Sequence, residues 1–118
     1  MTEKPDTRRI KKGRRGEDQA ALALIAQGYQ ILTRNWRCAE GEIDLIATHG
    51  AELVFVEVRY RRDGLETALA CFTSTKIRKV EACVAVYLAS MIEAPIYRID
   101  FVAVAPDGLE IIQNANAW

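Results

Sequence analysis

Two neighbouring segments of the sequence alternate polar with apolar side chains: residues 42–48, and residues 53–60 at their far end. The four residues between them, HGAE, have the length of a two-residue hairpin turn, with Gly50 where a type II′ turn favours glycine. Counting outward from this turn places Asp44 opposite Glu57 on one face of the hairpin, with Cβ atoms about 5 Å apart. That face carries Glu42, Asp44, Glu57, Arg59 and Arg61, and the other face carries Ile43, Leu45, Val54, Val56 and Val58, which we expect in the core.

The opposed pair Asp44 and Glu57 has two explanations. Two facing carboxylates repel each other, so a protein retains such a pair when a positive charge lies between them. A divalent metal ion with oxygen ligands supplies that charge in one explanation. In the other, Arg59 and Arg61 neutralise both acids in a surface lattice of salt bridges, and the same register places Glu42 opposite Arg59. The spacing alone favours neither.

Glu17 adds a third carboxylate from a separate element. Residues 13–27 have a helical pattern in which Glu17 shares the apolar face with Ala20 and Leu24, where an unpaired charge is costly. Glu17 either lies in the first helical turn and interacts with the helix dipole, or reaches the opposed pair. Three converging carboxylates near Arg and Lys side chains would suit phosphodiester cleavage, in which Mg²⁺ polarises the phosphate and activates a water molecule.

The elements that position these residues alternate between strand and helix. Periodicity predicts a second helix that begins at Thr73 or Ser74 and ends near Met91, after a loop at residues 61–72. Strands are predicted at residues 29–36, 42–48, 53–60, 97–105 and 109–113. The second helix carries the chain across the sheet, so the fourth strand is expected parallel to the third through a right-handed crossover. The fold class is therefore α/β, a single domain of order α-β-β-β-α-β-β with a mixed central sheet flanked by helices.

Composition limits the class of protein. A chain of 118 residues with 50% hydrophobic side chains makes one domain with its own core. Three cysteines without a C-x-x-C pair, and a single histidine, exclude a disulfide framework and a zinc finger. The apolar stretch at residues 20–26 is far shorter than the ~20 residues of a membrane helix. We therefore expect a soluble, cytoplasmic protein that does not enter a membrane.

Charge is distributed unevenly along the chain. The formal net charge is zero, but residues 1–15 hold seven basic and two acidic side chains. We interpret residues 1–12 as a flexible basic arm suited to a polyanion, because Lys and Arg that neutralise phosphates release counterions. A solvated, frayed terminus explains the same charges equally well.

Several motifs occur in one order along the chain. They are Gly16-Glu17, NWR at 35–37, GEIDLIA at 41–47, FVEVR at 55–59, TSTK at 73–76 and RIDF at 98–101. In this order they resemble the YraN-like family of small, uncharacterised bacterial proteins, whose restriction-endonuclease-like fold is related to archaeal Holliday junction resolvases. The resemblance spans residues 13–105 and implies an endonuclease-like domain at residues 13–118.

The resemblance implies a PD-(D/E)xK nuclease site that holds Mg²⁺ or Mn²⁺. Asp44 matches the first metal-binding aspartate of that motif, Glu57 matches the acid of its E-x-K element, and Glu17 matches the helix glutamate that completes the metal site. Lys76 matches a lysine on the second helix of the family pattern. The implied catalytic residues are Glu57, Arg59 and Lys76.

Arg59 departs from the pattern, because the family usually has lysine at this position. Arginine keeps the charge but does not release its proton at ordinary pH, so it suits an electrostatic role and not proton transfer. The sequence therefore predicts a metal-dependent endonuclease acting on DNA, branched or damaged DNA in particular. The alternatives are a catalytically inactive nucleic-acid-binding module on the same fold and, third, a protein-interaction adaptor.

Nucleic acid is the predicted partner, with DNA favoured over RNA. The residues predicted to bind it are Arg14, Arg15, Arg61, Arg62 and Lys76. The resolvase-like resemblance also suggests a two-fold homodimer, because two symmetric cuts need two sites.

Overall fold

A five-stranded mixed sheet with helices on both faces forms the domain. The computed structural model describes the backbone of residues 7–117 and the side chains of residues 16–116. Its elements are α1 (Thr7–Ala26), β1 (Gln30–Cys38), β2 (Gly41–His49), β3 (Glu52–Tyr60), α2 (Leu65–Leu69), α3 (Ser74–Ala89), β4 (Tyr97–Ala105), β5 (Gly108–Ile112) and a 3₁₀ turn at Ala115–Ala117. The predicted α/β class and the order of its main elements are confirmed.

The strands lie in sequence order across the sheet, and every neighbouring pair is antiparallel except β3 and β4. The parallel pairing of β3 with β4 through α3 was predicted and is confirmed. The hairpin register is confirmed as well, since His49 pairs with Glu52 and Gly50 has φ +61°. Thr73 caps α3, because its side-chain oxygen accepts the Lys76 N–H at 3.3 Å.

Apolar side chains cover both faces of the sheet. The first cluster lies under α1 and includes Ala20, Ala21, Leu24, Leu45, Val54, Val56 and Val58. The second lies under α3 and includes Ile46, Leu53, Phe55, Val80, Val84 and Ile99. The sheet is thus buried on both faces over most of its area, and one group of charged side chains lies where β2 and β3 stop pairing.

One core prediction is wrong: Ile43 does not lie on the same face as Leu45. Ile43 is buried in the second cluster, beside its β1 partner Trp36. The prediction assumed that β2 and β3 stay paired, whereas β2 remains paired only with β1 beyond Leu45 and its side chains change phase there.

Two element boundaries also differ from prediction. Helix α1 begins at Thr7 rather than at residue 13, so it takes in residues 7–12 of the predicted arm, while residues 1–6 lie outside the described part of the chain. The predicted loop at residues 61–72 contains α2, whose Ala68 is buried against β4. A helix this short shows too few residues for its periodicity to be visible in sequence.

The RIDF motif forms a buried network beside Val54, toward the start of β3. Asp100 is fully buried and accepts hydrogen bonds from the Tyr29 hydroxyl at 2.6 Å, from Arg98 Nε at 3.0 Å and from the Asn114 N–H at 2.9 Å. Each partner satisfies the aspartate where an isolated charge would be costly. This motif therefore has a structural explanation.

A helix that crosses a membrane must be about 20 residues long and predominantly apolar. In residues 7–117, no helix combines the length and the apolar character needed to cross a bilayer. The cytoplasmic location and the absence of membrane contact stay predictions.

Candidate active site

The site begins where strands β2 and β3 separate. Their ladder ends at the pair Leu45–Val56, and beyond it the Asp44 carboxylate accepts the Val58 N–H through Oδ2 at 2.8 Å. The Asp44 side chain thus accepts a hydrogen bond that a backbone carbonyl of β2 would accept if the two strands stayed paired. Because the strands are no longer paired here, the predicted pairing of Glu42 with Arg59 is wrong. The separation opens space between the two strands into which their charged side chains extend.

Gly16 brings the third carboxylate to this opening. A Cβ atom added to Gly16 would lie 2.9 Å from Tyr60 Cβ, so only glycine lets α1 approach the end of β3 this closely. The next residue, Glu17, is then half-buried at the edge of the cleft. Because α1 begins at Thr7, Glu17 lies well beyond the first helical turn, and the helix dipole does not explain its position.

Three carboxylates converge in the structure: Glu17, Glu42 and Asp44 each offer an oxygen atom within 4.8 Å of the others. The Asn35 amide joins two of them. Its orientation is assigned from its surroundings, because both neighbouring atoms are carboxylate oxygens, which only accept; with the nitrogen facing them, Asn35 donates to Glu17 Oε1 at 2.6 Å and to Glu42 Oε1 at 2.7 Å. Glu17 and Asp44 were predicted as metal ligands. Glu42 and Asn35 were not, although Glu42 was predicted on the same face and Asn35 lies within the NWR motif.

Glu57, the other predicted metal ligand, lies next to this group and binds Arg59 instead. Arg59 Nη1 is 2.5 Å from Glu57 Oε1 and 3.9 Å from Asp44 Oδ2, so the guanidinium lies between the two opposed carboxylates. The salt-bridge explanation is thus confirmed for Arg59. It is wrong for Arg61, whose Nη1 donates to the Tyr60 carbonyl oxygen at 2.7 Å.

Three carboxyl groups of the site, those of Glu17, Asp44 and Glu57, have raised pKa values. Burial, and then the nearby Asp44 charge, raise the pKa of Glu57 from its ordinary value of 4.5 to about 8, against the lowering effect of Arg59. Burial also raises the pKa of Asp44, against the Val58 N–H and Arg59. Burial and the Asp44 charge raise the pKa of Glu17, which the Asn35 hydrogen bond lowers. The site therefore has more negative charge than its surroundings stabilise.

This donor set fits a hard divalent cation. The three converging groups are carboxylates, which are the ligands that Mg²⁺ prefers, and none of them is a soft sulfur or a nitrogen ligand. A dication among them would offset the repulsion and the desolvation that raise the pKa values of Glu17 and Asp44.

Two clefts meet at Asp44 and Arg59, which line both of them. The larger, of about 410 Å³, is also lined by Glu17, Arg61 and Arg62. The smaller, of about 210 Å³, is also lined by Glu42, Glu57, Lys76 and Lys79. Basic side chains thus lie on either side of the carboxylates.

Five predicted nucleic-acid-binding residues divide into two groups. Arg61, Arg62 and Lys76 all line these clefts, and Lys76 is near enough to Glu57 to lower the pKa of that carboxyl group. Arg14 and Arg15 belong to α1, and their side chains lie outside the described residues. Lys79 was not predicted at the site, although its spacing of three from Lys76 on a helix places both on one side.

Residues 16–104 match the uncharacterised protein family UPF0102. The chain belongs to this family. The matched range includes every charged residue of the two clefts and all six motifs that resemble the YraN-like family, and the match confirms the resemblance at the level of the family.

Individual members align with the chain over most of their length. A UPF0102 protein of Roseiflexus castenholzii is 42% identical over 102 residues, which cover 83% of this chain and 82% of the relative. Relatives from Cupriavidus taiwanensis and Cupriavidus metallidurans are 44% and 41% identical, over 88% and 98% of this chain and 81% and 87% of their own lengths.

Proposed function

We propose that this UPF0102 protein is a nuclease that uses Mg²⁺ or Mn²⁺ to cleave phosphodiester bonds in DNA. The observation that carries the proposal is the junction of the two clefts, where three carboxylates converge beside Arg59. Phosphodiester cleavage needs both parts: a site for a divalent cation, and fixed positive charge for the phosphate.

Each side chain has a role that follows from its position. Glu17, Glu42 and Asp44 would hold the cation, with Glu57 alongside through its contact with Asp44. When bound, the cation would polarise the phosphate and lower the pKa of a water molecule. Arg59, whose Nη1 faces the carboxylates, would donate hydrogen bonds to phosphate oxygens, and Lys76 would add positive charge from α3.

The two clefts also bear on the substrate. A strand laid across Asp44 and Arg59 would have phosphates in both clefts, one set near Arg61 and Arg62 and the other near Lys76 and Lys79. Contacts on both sides of the cut favour cleavage within a strand over removal of an end nucleotide. The fold that we infer is restriction-endonuclease-like, and the DNA substrate, the branched forms and the homodimer with two symmetric sites rest on the resolvase-like resemblance.

A specific observation favours a second candidate, a nucleic-acid-binding module without catalysis. Arg59 already neutralises Glu57 and lies 3.9 Å from Asp44, so the opposed pair has a counter-ion that is part of the protein. In that case the clefts would bind the phosphate backbone through their basic walls, and the carboxylates would serve only to orient Arg59.

Cleavage assays distinguish the two candidates. Linear, flapped and four-way DNA are incubated with Mg²⁺ or Mn²⁺ and with wild type, Asp44→Asn or Glu93→Gln, the last being an exposed carboxylate outside both clefts. We expect cleavage by wild type and by Glu93→Gln, none by Asp44→Asn, and none in the presence of a chelator.

Two other results would contradict the nuclease. Binding of DNA without cleavage by any variant would establish the binding module. Absence of both binding and cleavage, at low salt and with RNA also tested, would leave the protein-interaction adaptor as the surviving alternative.

A further inference from the structure

Asn35 is exposed, yet its side chain joins two of the three converging carboxylates. Its amide nitrogen donates to Glu17 Oε1 at 2.6 Å and to Glu42 Oε1 at 2.7 Å. Hydrogen bonds to ionised acceptors are short and about twice as strong as neutral ones. One amide thus holds together two groups of like charge that come from different elements, α1 and β2.

The backbone of Asn35 is unusual as well. It has φ +54° inside β1, in the left-handed region that residues other than glycine rarely adopt. Asparagine tolerates this region better than most residues, and it is the residue directly before Trp36, which pairs with Ile43 in β2. The left-handed turn interrupts the alternation of β1, and in this conformation the amide side chain reaches both carboxylates.

We propose that Asn35 is a positioning residue that preorganises Glu17 and Glu42 for divalent cation binding. The inference rests on the proposed function, because it assigns the cation to the same three carboxylates. Each glutamate uses Oε1 for Asn35. Glu17 keeps its second oxygen for a metal ion, and the second oxygen of Glu42 lies 3.7 Å from the exposed Arg37 Nε, which a metal ion would replace as its partner. Partners that hydrogen-bond to metal ligands in this way typically contribute 10–100-fold to metal affinity.

The variant that tests this role is Asn35→Gly. Glycine adopts positive φ without cost, so the variant retains the backbone conformation and removes only the amide. Asn114→Gly is the matched control, because Asn114 is also exposed and has φ +55°, but lies after β5 and lines neither cleft. Mn²⁺ affinity is measured by calorimetry on the full-length protein, and stability by urea unfolding without metal.

We expect Asn35→Gly to bind Mn²⁺ at least about 10-fold more weakly than wild type, and Asn114→Gly to bind it equally well. Equal Mn²⁺ affinity of wild type and Asn35→Gly would overturn the role of Asn35 and leave the metal site intact. No Mn²⁺ binding by wild type would overturn the metal site itself and, with it, this inference.

A second variant gives a readout that needs no metal. Asn35→Asp also tolerates positive φ, but it replaces the donor with an acceptor that faces two carboxylates. We expect the metal-free Asn35→Asp protein to be less stable than Asn35→Gly at pH 8. Equal stability of the two variants would mean that Asn35 serves only the backbone turn, and the positioning role would be wrong.

Discussion

The burial of Glu57 predicts a pH dependence of stability that one substitution removes. The pKa of Glu57 is 4.5 in an unfolded chain and about 8 in the folded protein, because the side chain is desolvated and faces Asp44. Between these values the folded state binds more protons than the unfolded state, so stability falls as the pH rises. Glu57→Gln keeps the size of the side chain and has no proton to lose.

The magnitude follows from the same two values. A rise from 4.5 to about 8 corresponds to about 5 kcal/mol, at about 1.4 kcal/mol per pKa unit. Water that enters the cleft relieves part of this cost, so we expect at least about 2 kcal/mol. The free energy of unfolding of Glu57→Gln minus that of wild type should rise by this amount as the pH rises from 5 toward the folded pKa of about 8. The difference should become constant about one pH unit higher, where Glu57 is ionised in both states.

Urea unfolding at 25 °C measures this difference, at constant ionic strength with a chelator and a reductant present. Glu93→Gln serves as the control, because Glu93 is exposed and its removal should leave the pH profile parallel to that of wild type. Parallel profiles for Glu57→Gln and wild type from pH 5 to pH 9 would refute the reasoning, since Glu57 would then titrate as an ordinary surface carboxylate.

Three further predictions concern the remaining parts of the site. Arg59→Lys should raise the rate of DNA cleavage, or create cleavage where wild type shows none, because an amine exchanges protons more readily than a guanidinium. A clear loss of activity in this variant would show that arginine is the working catalytic cation. Gly16→Ala should destabilise the protein to urea by about 1–3 kcal/mol through the 2.9 Å approach to Tyr60, and an unchanged midpoint would contradict that packing. Arg61→Gln and Lys76→Gln should each weaken DNA binding and reduce its salt dependence by about one counterion, as measured by fluorescence anisotropy; an unchanged salt slope would exclude phosphate contacts there.

The hairpin register could be predicted because two local signals agree on it. The glycine at position 50 fixes the turn, and period-two alternation then fixes which side chains share a face. The same counting brought Asp44 and Glu57 together, and after burial the nearby Asp44 charge is the next cause that raises the pKa of Glu57.

What counting could not predict is the point at which the two strands separate. Asp44 ends the ladder by accepting the Val58 N–H, a contact between a side chain and a backbone that alternation does not encode. Where the two strands separate, Ile43 is buried on the other face, and Glu42, which pairs with Arg37 of β1 and not with β3, joins Glu17 and Asp44.

The role of Asn35 was beyond prediction for a related reason. A positive φ within a strand breaks the alternation on which strand predictions depend, and nothing in the types of its neighbours signals it. Glu17, by contrast, was found because a charge on the apolar face of a helix requires a partner. The alternative explanation, in which Glu17 lies in the first turn of the helix, is wrong because α1 begins at Thr7.

The most direct test of the central claim is the position of a bound cation. Crystals of the wild-type protein are soaked in Mn²⁺, and the anomalous difference density is compared with that of Asp44→Asn crystals treated in the same way. For wild type we expect one strong anomalous peak in bonding contact with carboxylate oxygens of Glu17, Glu42 and Asp44. For Asp44→Asn we expect no peak at this position. The soak uses an Mn²⁺ concentration at which the protein cleaves or binds DNA in solution. A wild-type map without density at these oxygens would contradict the proposed metal site.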